Sequence, residues 1–425
     1  MYAPLLTNRY LTTRIIPFVA VGAVGLCVAL VIIVVSVMSG FLDMVRSSGR
    51  VLMGDVIVSK PVDGIPWYDD FIADLEALPE VAAATPVVEA YGILRMPYPS
   101  PDSRAIEQVQ FWGIEPESFA AVTGYGETLY WKPLDDAMRA ELPPSDFRRQ
   151  IDALSDDRGL ESGPEMLARL EREGRTLERR GNPAMVAGAW VSQGNRRDER
   201  GAIDPIYSGD FGFHWWLPRG GRNFEVVLST IPLRGGGASP EPESAVLEVV
   251  NEFTSGVFVV DKSRVMIPIA LAQQLTRLRQ ATIVDASGDD IGRVDPARAT
   301  MVLVRAAEGV GADALKQRVQ DAYLDFRQRK LGDPAVDALA EPPPLRPGGT
   351  QVLTWEEQQE RFIGPVEKER ELMRTIFSLV YLVCAGLVLS IFWRSCTRRP
   401  ATSGSCGRSG RRAWESPGSS SATAS

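Results

Sequence analysis

Two uncharged apolar runs, Ile15 to Leu42 and Thr375 to Trp393, stand near opposite ends of the chain and enclose a long segment rich in charge. A bilayer core of about 30 Å is crossed by roughly 20 helical residues, so the spacing predicts two transmembrane helices. Leu372 and Met373 lengthen the second run to 372–393. Between them the pattern changes period repeatedly. GDVIVSKP alternates as a strand does, WYDDFIADLEALPEV places Phe71, Leu75 and Leu78 at helical spacing, and TPVVEAYGILRMP and QVQFWGIEP predict two further strands. SAVLEVVNEF, SGVFVV and ATMVLVRA predict strands later on. RVMIPIALAQQLTRL runs into a helix, and ADALKQRVQDAYLDFRQRK is helical throughout.

This mixture predicts an α+β fold: two transmembrane helices flanking a large mixed α/β extracytoplasmic domain with an inserted charged lobe. The lobe is Ser118 to Ala238. It opens with Asp135 to Arg180, dense in Asp, Glu and Arg, which reads as solvent-facing helices with mixed-sign faces. It then contains AMVAGAWVS, a buried-strand pattern, and the aromatic FGFHWWLPRGG. The organisation is therefore a cytoplasmic N-terminus (1–14), a first span (15–42), the domain's first part (43–117), the lobe (118–238), the domain's second part (239–340), a linker and helical stalk bent or broken at Pro365 (341–371), a second span (372–393) and a disordered tail (394–425).

Charge sets the orientation. The net charge of −8 lies over the middle, whereas Arg9 and Arg14 precede the first run and six arginines follow the second. Positive charge beside a span stays inside, so both termini are cytoplasmic and Asp43 to Glu371 lies outside. The first run is too long for a cleaved signal. Cys27 and Cys384 fall in the spans and Cys396 and Cys406 in the tail. The outer domain thus holds together by its packed core, without disulfides.

Candidate chemistry is sparse. GVGADALK at Gly309 to Lys316 lacks the Gly-Lys-Ser/Thr ending of a phosphate loop. His214 is the single histidine and makes no zinc site alone. The carboxylate pairs Asp69/Asp70, Asp156/Asp157 and Asp289/Asp290 sit in polar loops or helix starts, and no nucleophile elbow stands in the folded region. The chain reads as a non-enzyme with no cofactor, no metal and no nucleic-acid partner. Within the first run Gly22, Gly25, Ala29 and Ser36 fall near one helical face, where small residues let another helix approach; partner helices are implied.

NRYLTTR, SVMSGF (36–41), GDVIVS (54–59), LPEVAAATPVV (78–88), FWGIEPE (111–117), VFVVDKSRVMIPIALAQQL (257–275) and TWEEQ (354–358) together resemble, in order, lipoprotein-releasing ABC permeases, the LolC/LolE type of the MacB/FtsX superfamily. The resemblance implies a permease subunit for lipoprotein release or export of amphiphilic substrates. It implies a separate cytoplasmic ATPase, a permease homo- or heterodimer, and location in the cytoplasmic (inner) membrane with a large periplasmic domain. Such permeases have four spans. Here RSCTRRPATSGSC follows the second, and a shifted reading frame from Arg394 can encode VLHAKTRDIGILRSVGAS, which is similar to the family's coupling-helix segment. A frameshift after the second span is the expectation, and resequencing the DNA around the codon for Trp393 tests it. The alternative class is a two-pass sensor or scaffold whose outer domain binds a ligand or partner.

Overall fold

The computed structural model describes residues 52–100, 103–142, 144, 146–153, 162–192, 195–197, 203–205, 225–233, 241–284 and 290–397, with scattered helical positions between 22 and 40. The chain divides into two compact units, Met1–Ser36 with Lys368–Ser425, and Val37–Glu367.

In the larger unit the alternating segments form β1 (Val56–Ser59), β2 (Val81–Ser100), β3 (Ser103–Ile114), β4 (Asn182–Gly188), β5 (Glu225–Thr230), β6 (Glu243–Phe253), β7 (Arg264–Pro268), β8 (Met301–Ala306) and β9 (Gln351–Thr354). They belong to one sheet in the order β9-β1-β8-β2-β3-β7-β4-β6-β5. β5 also pairs with β2, Ile93 opposite Ser229 and Arg95 opposite Val227, so the strands from β2 through β5 close into a ring. The principal helices are α1 (Tyr68–Glu76), α2 (Pro116–Thr123), α3 (Gly163–Thr176), α4 (Ile269–Thr276), α5 (Ala312–Leu331) and α6 (Trp355–Thr397).

Alternation along the strands sends successive side chains to opposite faces, and three cores result. Val56, Val58, Val302 and Val304 meet Phe71 and Leu75 of α1 and Val319, Tyr323 and Phe326 of α5. There the Phe71 and Tyr323 rings pack edge to face at 5.3 Å. Inside the ring, Leu94, Phe111, Met185, Leu228, Leu247 and Val265 pack with Leu167 and Leu170 of α3 and Leu275 of α4. On the ring's other side Val87, Trp112, Ile114 and Met266 lie beneath Phe119 and Val122 of α2.

Segment 118–238, expected as an inserted lobe, divides between roles. Its helices Asp136–Glu141, Phe147–Asp152 and α3 carry the charge, yet Ile151, Leu167 and Leu170 are buried. Its strands β4 and β5 lie within the main sheet. SGVFVV, expected as a strand, instead leads into a helix, Phe258–Ser263. Asp261 explains it: its carboxylate accepts from the Ser255 N–H and hydroxyl at 2.7 and 2.6 Å, which closes a turn where a strand would extend. Pro365 does not break α6, which is helical from Trp355 to Thr397. Pro removes one helical hydrogen bond, and the long regular helix on both sides retains the conformation.

Among the described residues no helix is long and apolar enough to cross a membrane. The first apolar run is described only at scattered helical positions, and the second lies within α6, with the side chains of Cys384, Leu387, Val388, Ile391 and Phe392 outside the described ones. Among the described side chains of these runs Leu26, Ile33, Leu382 and Trp393 are more than half exposed.

Candidate functional site

The feature that organises the larger unit is the place where the chain enters and leaves it. β1 is the first strand after the N-terminal run and β9 the last before α6, and they pair antiparallel, Val56 opposite Thr354 and Ser59 opposite Gln351. Entry and exit are adjacent strands in one register.

Each side of this junction is fixed by backbone and side chain together. On entry, Leu52 is buried in the core beneath α2. Gly54 follows, where an added Cβ would stand 2.6 Å from the Val304 carbonyl oxygen. Asp55 then donates its N–H to the Val304 carbonyl at 2.8 Å and accepts from the Trp355 N–H at 3.2 Å. Its buried carboxylate accepts from the Ala306 N–H at 2.9 Å. One residue therefore ties entry strand, exit helix and the neighbouring strand β8 together.

On exit, Thr354 and Glu357 form a capping box. The Thr354 N–H donates to the Glu357 carboxylate at 2.9 Å, and the Glu357 N–H donates to the Thr354 hydroxyl at 3.3 Å. Lys316 of α5 reaches both Glu357 oxygens, at 2.7 and 2.6 Å. Burial alone raises the Glu357 pKa, but the Lys316 and Thr354 hydrogen bonds outweigh it and hold the carboxyl below its ordinary range. α5 is in turn tied to α1 and the start of β2: Arg318 contacts Glu80 at 3.0 Å, Lys330 contacts Asp70 at 2.5 Å, and Arg329 pairs with Asp74.

From this junction the sheet leads away through β8 to β2. β2 is 20 residues long, roughly 65 Å if fully extended. Its first part pairs with β8, and its far part pairs with β3 and β5 in the ring. A single strand thus connects the exit level of the sheet with its distal hairpin.

Of the residues expected to pack a membrane helix, Gly22, Gly25, Ala29 and Ser36 are all helical and exposed. A Cβ added at Gly22 or Gly25 would meet nothing within 4 Å. The expected entry stalk, Asp43 to Arg50, lies outside the described residues, as do His214, Asp156, Asp157 and Asp289. Asp69 and Asp70 open α1. Asp70 meets Lys330, while burial first, then Glu115 and Asp70, raise the Asp69 pKa. No cluster of metal-ligating side chains occurs among the described residues. The capping box was readable as Thr-x-x-Glu before a helix. Asp55 and Lys316 carry no sequence signal, because their partners lie about 250 and 41 residues away.

No family model matches the chain, and no curated protein does. Among solved structures the chain is similar to the crystal structure of the periplasmic region of MacB from Actinobacillus actinomycetemcomitans, at 9% identity and a TM-score of 0.29, over 75% of this chain and 95% of that one.

Proposed function

We propose that this chain is a membrane permease subunit of an ABC transporter, whose outer domain is moved by a separate cytoplasmic ATPase in lipoprotein release or export of amphiphilic substrates. The observation that carries the reading is the junction. Strands that follow one apolar run and precede the other pair directly, Val56 opposite Thr354. Relative displacement of two anchoring helices therefore loads one hydrogen-bonded strand pair and passes through β8 into β2. A domain built to bind passively has no need of both tethers on one register.

Three further features support it. The apolar runs expose long side chains such as Leu26 and Leu382, as helices in lipid do. Arginines flank both runs, which favours cytoplasmic termini in the inner membrane with residues 43–371 outside. The ordered segments similar to lipoprotein-releasing permeases include the entry (Gly54 to Ser59) and exit (Thr354 to Gln358) residues themselves.

The test is co-purification of the chain from membranes with an ABC ATPase, followed by nucleotide-dependent distance measurement between labels at Gln358 and Gln108. Expected is an ATPase partner and a distance that changes on ATP binding. Absence of such a partner, with an adjacent kinase or phosphatase gene instead, overturns the reading in favour of a sensor.

A further inference from the structure

The chain leaves the larger unit along one helix. From Pro342 to Glu357 it is fastened to α5 at both ends of β9. Before the strand, Arg327 donates its Nε–H to the Pro342 carbonyl at 3.1 Å, and the Tyr323 hydroxyl donates to the Pro343 carbonyl at 2.7 Å and meets the Thr350 hydroxyl at 2.8 Å. After the strand, the Lys316 amino group reaches both Glu357 oxygens at 2.7 and 2.6 Å. Between these points Val352 of β9 is buried in the core that holds Val319 and Tyr323.

Lys316, Tyr323 and Arg327 are spaced i, i+7 and i+11. At 3.6 residues per turn they stand within about 20° of one line on α5, over a length of about 16 Å. Their partners come in the reverse order, Glu357, then Thr350 and Pro343, then Pro342, so the exit segment runs antiparallel along that line. Apolar packing is non-directional, and the core alone would let the helix slide or turn against the sheet. Hydrogen bonds at both ends of three helical turns fix the register.

The entry strand lacks this grip. β1 adds Val56 and Val58 to the same core, and among the described residues no side-chain hydrogen bond joins it to α5. Lys60, just past β1, donates instead to the Gly348 carbonyl of the exit segment at 3.3 Å. α5 thus belongs to the exit side. Its other contacts lead inward, from Arg318 to Glu80 at the start of β2 and from Arg329 and Lys330 to Asp74 and Asp70 of α1.

We propose that α5 is the lever of the exit tether. It moves as one body with Pro342 to Glu357 and carries that motion to α1 and the start of β2, alongside the route through β8. Lys316, Tyr323 and Arg327 are its positioning residues. The inference rests on the coupling reading and adds to it a second route and the residues that make it.

The experiment uses the full chain in phosphatidylcholine nanodiscs with the ATPase that co-purifies with it. Spin-label pairs at Gln317 and Gln358, Gln317 and Gln108, and Gln358 and Gln108 are measured with and without ATP. Expected are an unchanged Gln317 to Gln358 distance and parallel changes in the other two. Lys316→Met combined with Arg327→Met should cut the Gln317 to Gln108 change at least twofold and leave the Gln358 to Gln108 change in place. The same variant should raise amide exchange at Leu353 to Gln358 about two- to fivefold, while retained protection in β6 reports an intact fold. Lys316→Arg combined with Arg327→Lys should restore both readouts. A Gln317 to Gln358 distance that shifts with ATP while Gln358 moves against Gln108 overturns the lever alone, as does a methionine variant in which the Gln317 to Gln108 change persists in full. If no pair responds to ATP, the coupling reading itself falls and the lever with it.

Discussion

Replacing Gly54 with alanine tests whether the entry strand is held as tightly as the junction geometry requires. A Cβ there would lie 2.6 Å from the Val304 carbonyl oxygen, 2.9 Å from its nitrogen and 3.1 Å from its carbonyl carbon. All three atoms are backbone, so no rotamer change relieves the contact. Ordinary contact begins at 3.4 Å, so β1 and β8 must separate by most of an ångström. That movement lengthens the Asp55 N–H bond to the Val304 carbonyl, now 2.8 Å, and disturbs the Val56 to Val304 register. Overpacking of this kind costs about 1 to 3 kcal/mol, to which loss of one hydrogen bond adds about 1 kcal/mol.

The assay is urea unfolding of the full chain, read alongside amide exchange at Val56 to Ser59 and Met301 to Val304. Expected is a lower unfolding midpoint at unchanged slope, with protection lost first in β1 and β8 and retained in β6. Gly181→Ala serves as the contrast: that glycine has a φ of +79° but nothing within 4 Å of its Cβ position, so it adds conformational strain without steric separation. Unchanged exchange in β1 in the Gly54 variant would refute the reasoning, since it would mean that the strand accommodates the methyl group without leaving β8.

Asn251→Ala removes a fully buried amide that accepts from the Trp131 and Glu252 N–H groups and donates to the Trp131 and Leu170 carbonyls, all at 2.8 to 3.0 Å; about 3 to 5 kcal/mol is expected from orphaned groups, measured as a lower unfolding midpoint. Glu357 has a lowered folded pKa, so its contribution to the α6 cap is present above the ordinary glutamate range and is lost as pH falls through that lowered value. Protection at Trp355 to Gln358 should fall in that acid range, and Glu357→Gln should abolish the pH dependence. Tyr323→Phe deletes a hydroxyl that donates to the Pro343 carbonyl at 2.7 Å and meets the Thr350 hydroxyl at 2.8 Å. Burial pushes this phenol up to about 12. About 1 to 2 kcal/mol of destabilisation is expected, with exchange raised around Thr350.

Local periodicity made several elements legible. VIVS, the helical spacing of Phe71 and Leu75, and the long helix from Ala312 each occupy the segment that their pattern indicates. Position in the sheet was not legible. AMVAGAWVS reads as a buried strand, but nothing local says that β4 lies between β7 and β6. EVVLST carries the same alternation in a shorter stretch, bordered by glycine-rich sequence, and its two partners, β2 and β6, are set by ring closure. The charge density of Asp135 to Arg180 concealed Leu167 and Leu170, which share one face of α3 at a spacing of three.

The junction and the β2–β3 hairpin lie at opposite ends of β2, and this separation constrains how the proposed coupling can work. A strand transmits a pull along its axis well when neighbours on both flanks share the load, because sliding then breaks many hydrogen bonds together. β2 is paired along this whole stretch but on both flanks only at Val87 and at Ile93 to Arg95: β8 holds Val81 to Val87, β3 holds Val87 to Arg95, and β5 joins at Ile93 to Arg95, so Val88 to Gly92 hang on β3 alone. Its outward residues pass from the α2-covered core at Val87, through Glu89, to Tyr91, Ile93 and Arg95. Under the proposed coupling, motion entering at Asp55 and Thr354 reaches Arg95 through β8 and β2 without crossing a loop. A cut in β2 between Glu89 and Tyr91, or a proline at Ala90, should uncouple the two ends while leaving the α1–α5 core folded; if labels at Gln358 and Gln108 still moved together on nucleotide binding in such a variant, transmission would have to run through α2 and β3 instead.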